Sequence, residues 1–187
     1  YGTSAEDELI CSLSLSDGSK LSFLNLTLNS ITNISIIKVD NNGNVLWMKK
    51  TDMIHCKVMD AIKTTDNQVI FVGSSYKINP FFNNFCNAFA CKMNEEGEIV
   101  WSHQYENDYR AVASKIIELP DSKLFIAGNT ESTPQSGRDI LGILTDDEGN
   151  ELWSKSYDAG QNDQANSVIL CHDTSLLILG SCSDKID

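Results

Sequence analysis

The residues best able to do chemistry in this chain are its histidines, its cysteines and two short acidic runs. The three histidines, His55, His103 and His172, are far apart in sequence and lack the close spacing of metal ligands. We interpret each as a surface histidine, with His103 on an outer strand two residues after Trp101. No Gly-x-Ser-x-Gly nucleophile motif occurs, although a triad can also be assembled from distant segments. The sequence therefore predicts no catalytic residues.

The two acidic runs each precede a glycine in a predicted tight turn. They are Asn94-Glu95-Glu96 before Gly97 and Asp146-Asp147-Glu148 before Gly149. Calcium-binding loops place oxygen ligands at regularly alternating positions, which these runs do not. We interpret them as solvated turn residues and predict no metal site and no cofactor.

The six cysteines allow two interpretations. They are Cys11, Cys56, Cys86, Cys91, Cys171 and Cys182. None forms the Cys-x-x-Cys pair of a zinc site, so buried free thiols are one interpretation. The other is a disulfide such as Cys86–Cys91, which requires a location outside the cytoplasm.

The composition excludes several classes of partner. Fourteen basic and 26 acidic residues give a net charge of −12. Because sequence-independent nucleic-acid binding depends on Lys and Arg neutralising phosphates, nucleic acid is excluded as a partner. No apolar run approaches the roughly 18 residues of a transmembrane helix. The chain begins at Tyr1 rather than Met, so a leader could have been removed before it.

A hairpin that occurs three times positions everything else. Each copy has a glycine four residues before a tryptophan, and Asp or Asn three residues before the glycine; the pairs are Gly43 with Trp47, Gly97 with Trp101, and Gly149 with Trp153. Glycine supplies the positive φ that a hairpin turn requires. The tryptophans are 54 and 52 residues apart, and this period with several short strands is typical of radially repeated sheets.

A second pair of apolar strands lies between successive tryptophan hairpins, so each repeat holds four strands and no helical periodicity. We predict an all-β fold: one β-propeller array over residues 1–187, built of four-stranded blades. The repeats are approximately 1–51, 52–104, 105–156 and a partial 157–187, which is about three and a half blades of an incomplete ring. We expect either that this is a segment of a longer protein or that another chain covers its open strand edges.

The run Ile36-Ile37-Lys38-Val39-Asp40-Asn41-Asn42-Gly43-Asn44-Val45-Leu46-Trp47, followed by Ile70-Phe71-Val72-Gly73-Ser74, resembles the β-propeller repeats of secreted proteins and lipoproteins of Bacteroidetes-type bacteria. It is also similar to the tryptophan-docking blades of quinoprotein-like propellers. The resemblance covers nearly the whole chain and implies a lipoprotein at the bacterial outer membrane or cell surface, held by a lipid anchor outside this segment. The Asp-x-x-Gly turn departs from the Thr-Gly pair usual in quinoproteins, which argues against a quinone cofactor.

One predicted loop is unusually aromatic. It contains Tyr76, Phe81, Phe82 and Phe85, whereas the equivalent segment 129–138 is wholly polar. Because loops normally face water, these side chains either bind a protein or sugar partner or fold back onto a blade edge.

The leading functional hypothesis is a non-catalytic propeller outside the cytoplasm that acts as a scaffold or protein-interaction subunit. The resemblance extends this to an outer-membrane nutrient-uptake complex. The alternatives are a carbohydrate- or small-ligand-binding module, and a glycan-active enzyme with its site in the channel of a complete ring.

Overall fold

The computed structural model describes residues 6–79, 82–105, 109–133 and 136–183, and these form fourteen β-strands and no helix. The all-β prediction is therefore confirmed. The first eight strands are β1 (Glu6–Ser14), β2 (Lys20–Leu28), β3 (Ile31–Val39), β4 (Val45–Ile54), β5 (Cys56–Lys63), β6 (Val69–Asn79), β7 (Phe82–Met93) and β8 (Ile99–Tyr105). The others are β9 (Arg110–Glu118), β10 (Leu124–Glu131), β11 (Asp139–Thr145), β12 (Glu151–Tyr157), β13 (Asn162–Leu170) and β14 (Leu176–Ser183).

The strands form successive antiparallel meanders, which we call units. Unit 1 is β1–β4, unit 2 is β5–β8, unit 3 is β9–β12, and unit 4 is the hairpin β13–β14. Units 2 and 3 are joined into one eight-stranded sheet by a single parallel residue pair, Cys86 with Arg110. Units 3 and 4 share one isolated parallel bridge, Arg138 with Asn162. All other strand pairing in the described residues lies within a unit, so most contact between units is made by side chains.

Two kinds of turn recur in the units. The turn between the last two strands of units 1 to 3 has glycine in the left-handed region, with φ of +83° at Gly43, +76° at Gly97 and +81° at Gly149. The turn between the first two strands places Gly18, Asn67, Ser122 and Thr174 in the same region. Local sequence therefore closes the hairpins at matching positions, which fixes the register of each meander.

Successive units pack face to face through apolar side chains. Between units 1 and 2 the core contains Leu21, Phe23, Ile34 and Ile36 from one side and Val58, Phe71, Phe89, Cys91 and Met93 from the other. Between units 2 and 3 it contains Ile70, Val72, Ala88 and Ala90 against Ala111, Ala113, Ile116, Leu124 and Ile126. A smaller cluster, including Phe125, Ala127, Ala165 and Val168, joins units 3 and 4. The sheets of units 2 and 3 are thus buried on both faces.

The tryptophan of one unit lies against the turn glycine of the next. A Cβ placed on Gly97 would come within 2.9 Å of the Trp47 ring, and one on Gly149 within 2.9 Å of the Trp101 ring. A Cβ on Gly43 would meet nothing within 4 Å. All three turns require glycine because of its positive φ, and two of them also leave no room for a side chain.

Polar contacts also connect the units near their first strands. Asn25 of unit 1 donates to the carbonyl of Val58 at 3.0 Å and accepts from the amide of the same residue at 2.8 Å. Asn129 of unit 3 donates through Nδ2 to the carbonyl of Asp163 at 2.6 Å. These contacts satisfy backbone groups on first strands that the meander leaves unpaired at its edge.

Candidate functional site

The three histidines lie in three different elements. His55 occupies the turn between β4 and β5 with φ of +56°, and its carbonyl accepts a hydrogen bond from the amide of Tyr76 at 2.9 Å. His103 lies in β8 with its ring 5.3 Å from that of Trp101, half-buried beside the Gly149 turn. His172 is exposed in the β13–β14 turn. His103 is thus less exposed than the surface histidine expected from the sequence, because its ring packs between unit 2 and the Gly149 turn of unit 3.

The acidic runs lie in the turns where the sequence places them. The carboxylate of Asp146 accepts from the amides of Glu148 and Asn150 at 3.1 and 2.7 Å, and Asn94 holds its own turn in the same way. The Asn150 side-chain amide is the main cause that lowers the pKa of Asp146 below its usual value. These side chains stabilise turns and leave no carboxylate pair for acid–base catalysis there.

Glu95 differs from the solvated residue expected at its position. Its carboxylate lies 3.0 Å from Nζ of Lys63 and accepts from the Ser16 hydroxyl at 3.1 Å. Its side chain is only 17% exposed, so this contact bridges units 1 and 2. The function of the run as a whole is therefore structural.

All six cysteines are free thiols, and the Cys86–Cys91 disulfide is not formed. The two residues lie on one strand, where five residues span about 17 Å, far beyond disulfide reach. They also point to opposite faces: Cys91 belongs to the core between units 1 and 2, while Cys86 donates to the carbonyl of Ala111 in unit 3 at 3.4 Å. Burial raises the pKa of Cys86 to about 11 and of Cys91 to about 12, which makes both poor nucleophiles.

Three residues of the aromatic segment, Tyr76, Phe82 and Phe85, lie in the paired strands β6 and β7 rather than in a loop. Strands β6 and β7 have 11 and 12 residues, against 8 and 7 for the equivalent β10 and β11. The ring of Phe85 is 5.5 Å from that of Tyr109, edge to face, so this aromatic packs toward unit 3. Tyr76 is half-buried and pairs with Cys86. Phe81 lies outside the described residues, and Phe82 is described only as the first residue of β7.

A polar cavity of about 160 Å³ brings together the two arginines of the chain, Arg110 and Arg138. Both guanidinium groups contact the same oxygen, Oε1 of Glu131, at 3.5 and 3.2 Å. Asn129, Thr130 and Gln164 also line this cavity. Nε of Arg110 is buried and has no hydrogen-bond partner. The cavity has the donors to hold a small hydroxylated or anionic ligand.

Next to Arg138, three aspartates converge. One carboxylate oxygen from each of Asp139, Asp158 and Asp163 lies within 4.8 Å of the others. Asp139 begins β11, Asp158 follows β12, and Asp163 is the second residue of β13. The sequence analysis missed this group because its members belong to two units. The one local sign of this group in the sequence is that Asp158 and Asp163 are only five residues apart.

No protein-family model matches the chain, and no curated protein matches it either. Over the described residues there is also no helix with the length and apolar character needed to cross a membrane.

Proposed function

We propose that this chain is part of a β-propeller that acts outside the cytoplasm as a non-catalytic scaffold or protein-interaction subunit. The observation that carries the proposal is the stacking of successive antiparallel meanders, in which Trp47 and Trp101 each lie against the turn glycine of the next unit. The first strands also contact in series, β1 with β5, β5 with β9 and β9 with β13, as blades around a shared axis would. Exposed leucines such as Leu177 and Leu179 on unit 4 offer a further blade a surface to pack on.

The state of the reactive groups favours binding over catalysis. The buried thiols have raised pKa values, and the acidic runs bind their own turn amides or a neighbouring unit. A general base or nucleophile needs a pKa near the working pH and access to substrate. Cys86, Cys91 and Asp146 do not combine the two.

The long β6–β7 hairpin is the proposed contact element. It extends further than its counterpart in unit 3, and its sequence carries aromatic residues at the end. Aromatic side chains are enriched at protein interfaces because they bury large areas at low entropic cost. The proposed setting, a lipid-anchored subunit of an outer-membrane nutrient-uptake complex, rests on the resemblance of the repeats.

Site-specific photo-crosslinking in a bacterial envelope would test the contact element. A photoreactive phenylalanine at Phe82 should give a discrete protein adduct. The same group at Ser132, an exposed residue after β10 in unit 3, should not. Identical adduct patterns at both positions, or no adduct at Phe82 in folded protein, would reject the hairpin as the contact element.

A paired stability measurement separates binding from packing. Replacing Phe81 and Phe82 together by Ser should abolish the adduct formed by a probe at Tyr76 and leave the melting temperature nearly unchanged. Phe85→Ala should instead lower the melting temperature, because Phe85 packs on Tyr109. A large loss of stability in the double variant with the adduct intact would mean that those phenylalanines serve the fold.

The arginine-lined cavity favours one second candidate, a carbohydrate- or small-ligand-binding module. Two guanidinium groups beside amide and hydroxyl side chains suit a sugar carrying a carboxylate. Binding of acidic glycans on an array, lost in Arg138→Gln and retained in Arg138→Lys at reduced affinity, would support this candidate. Uniform absence of glycan binding would remove it, and hydrolysis of a bound glycan would establish the enzyme alternative.

A further inference from the structure

Asp163 is the most unusual residue in the polar region between units 3 and 4. It is fully buried, at 0% exposure, and its Oδ1 has no hydrogen-bond partner. Its Oδ2 accepts from the amide of Ala159 at 2.6 Å. A buried carboxylate with an unsatisfied oxygen costs free energy unless something else compensates its charge.

The strand register shows that this position is apolar in units 2 and 3 and acidic in unit 1, where it holds the exposed Asp7. Asp163 pairs with Cys182, two residues before the pair Ala165–Gly180. The same register in unit 2 holds Cys56, and in unit 3 it holds Ala111. Both of those residues are buried members of apolar clusters. Among the described units, unit 4 is therefore the one that buries a carboxylate at this position, where units 2 and 3 bury a small apolar side chain.

The surrounding charges increase the cost. Asp139 is half-buried and Asp158 exposed, and each places a carboxylate oxygen within 4.8 Å of one from Asp163. No ion pair in the described part of the chain includes any of the three, and the adjacent Arg138 is directed to Glu131. Three negative groups thus converge without a protein cation.

We propose that Asp139, Asp158 and Asp163 bind one Ca²⁺ ion at the junction of units 3 and 4. Carboxylate oxygens are the ligands that hard cations prefer. Ca²⁺ binds oxygen at about 2.3–2.6 Å, so two of its ligands can be up to about 5 Å apart, whereas Mg²⁺ at about 2.1 Å requires a tighter, regular octahedron. The three aspartates supply three ligands, and water supplies the others.

Such an ion would connect two units that otherwise share the smallest apolar cluster. Asp139 belongs to unit 3, Asp163 to unit 4, and Asp158 to the segment between them. Bound Ca²⁺ therefore stabilises the docking of β13–β14 on unit 3. The inference is independent of the proposed scaffold function, since an enzyme or a sugar-binding module could use the same ion.

Calorimetric titration of the whole chain with CaCl₂ tests the site. We expect one ion per chain with a dissociation constant of about 10⁻⁴–10⁻³ M, the range of extracellular calcium modules, and weaker binding of MgCl₂. Asp139→Asn and Asp158→Asn should each weaken Ca²⁺ binding at least about tenfold, because each removes a charged ligand. Asp147→Asn, an exposed carboxylate in the β11–β12 turn, is the matched control and should bind as the unchanged chain does.

The variants also distinguish Ca²⁺ binding at one site from nonspecific attraction of Ca²⁺ to a chain whose net charge is −12. Equal weakening in Asp147→Asn and Asp139→Asn, or no saturable binding by the unchanged chain up to about 10 mM CaCl₂, would overturn the proposal. Because Asp163→Asn could unfold, the test does not depend on it. Thermal unfolding supplies a second measurement: Ca²⁺ should raise the melting temperature of the unchanged chain and of Asp147→Asn, but not of Asp158→Asn.

Discussion

The interface between units 1 and 2 and the interface between units 2 and 3 are filled by different side chains. The first contains Phe23, Phe71 and Phe89, with ring centroids 5.4 and 6.0 Å apart along the series. The second contains Ala88 and Ala90 of β7 opposite Ala111 and Ala113 of β9. Both are fully buried. The same meander is therefore packed on its neighbours in two ways, by aromatic volume on one face and by close approach on the other.

Close approach explains the backbone contact between units 2 and 3. The amide of Cys86 in β7 lies 3.5 Å from the carbonyl of Tyr109, just before β9. Alanines on both strands allow the backbones to come this near, whereas phenylalanines at the other interface hold the sheets apart. Side-chain volume at a few positions thus decides whether neighbouring units share hydrogen bonds.

The largest effect on stability is expected from substitutions that remove side-chain volume at the first interface or add it at the second. Phe71→Ala should lower the free energy of unfolding by about 3–5 kcal/mol, because it leaves a cavity between two other rings. Ala113→Val should cost about 1–3 kcal/mol through overpacking. Urea unfolding of both variants measures these changes, with Leu46→Ala, a 54% exposed position, as the control. If Ala113→Val is neutral, the second interface is not closely packed.

Replacing the turn glycines by alanine should lower the free energy of unfolding by smaller amounts, and the amounts should differ between turns. Gly43→Ala should cost about 1 kcal/mol, the price of a left-handed backbone for an L-residue. Gly149→Ala should cost about 2–4 kcal/mol, since its methyl group also overlaps the rings of Trp101 and His103.

A double-mutant cycle isolates the contact part of that difference. In a Trp101→Ala background, Gly149→Ala should cost nearly as little as Gly43→Ala, because the ring that it overlaps is gone. Equal costs in the two backgrounds would show that the tryptophan does not constrain the turn.

The smallest expected effect is the pH dependence of the same turns. The pKa of Asp146 and of Asp40 is lowered in the folded chain, mainly by the side-chain amides of Asn150 and Asn44. A lowered carboxyl pKa stabilises the fold above the unfolded pKa of about 3.9, and this stabilisation is lost as the pH falls through the folded value. Asp146→Asn and Asp40→Asn should therefore be less stable than the unchanged chain at pH 7.

Urea unfolding of the same variants at acidic pH tests this explanation. Urea midpoints of the variants and the unchanged chain should converge as the pH falls below about 4, where the aspartates are protonated. A constant difference across the range would indicate that the amide substitution acts through geometry instead.

The hairpins and their tryptophans could be predicted because their signals are local. A glycine four residues before Trp101 fixes the turn, and the alternating apolar runs fix the strands on either side. The four-stranded units follow from counting such runs between tryptophans. The ends of β6 and β7 could not be predicted, since Asn and Pro near Phe81 are typical of loops and strand pairing with a distant partner outweighs local preference.

The candidate sites depend on register between units, which the sequence does not encode locally. Arg110 and Arg138 are 28 residues apart, yet both contact Glu131 because β9 and β11 flank β10. Asp163 looks like an ordinary polar residue before Ala165, and its burial follows only once β13 lies on unit 3. Of the two interpretations of the cysteines, free thiols hold, and a Cys86–Cys91 disulfide is ruled out because both residues belong to one extended strand.

The parallel pairs between units, Cys86 with Arg110 and Arg138 with Asn162, are isolated, and this has a consequence for how such a chain can change length. In an ordinary sheet, inserting a strand breaks a ladder of hydrogen bonds on both sides. In the described units, a whole meander could be duplicated or deleted by recombination while disturbing almost no backbone pairing, provided that the faces brought together have complementary side-chain volumes.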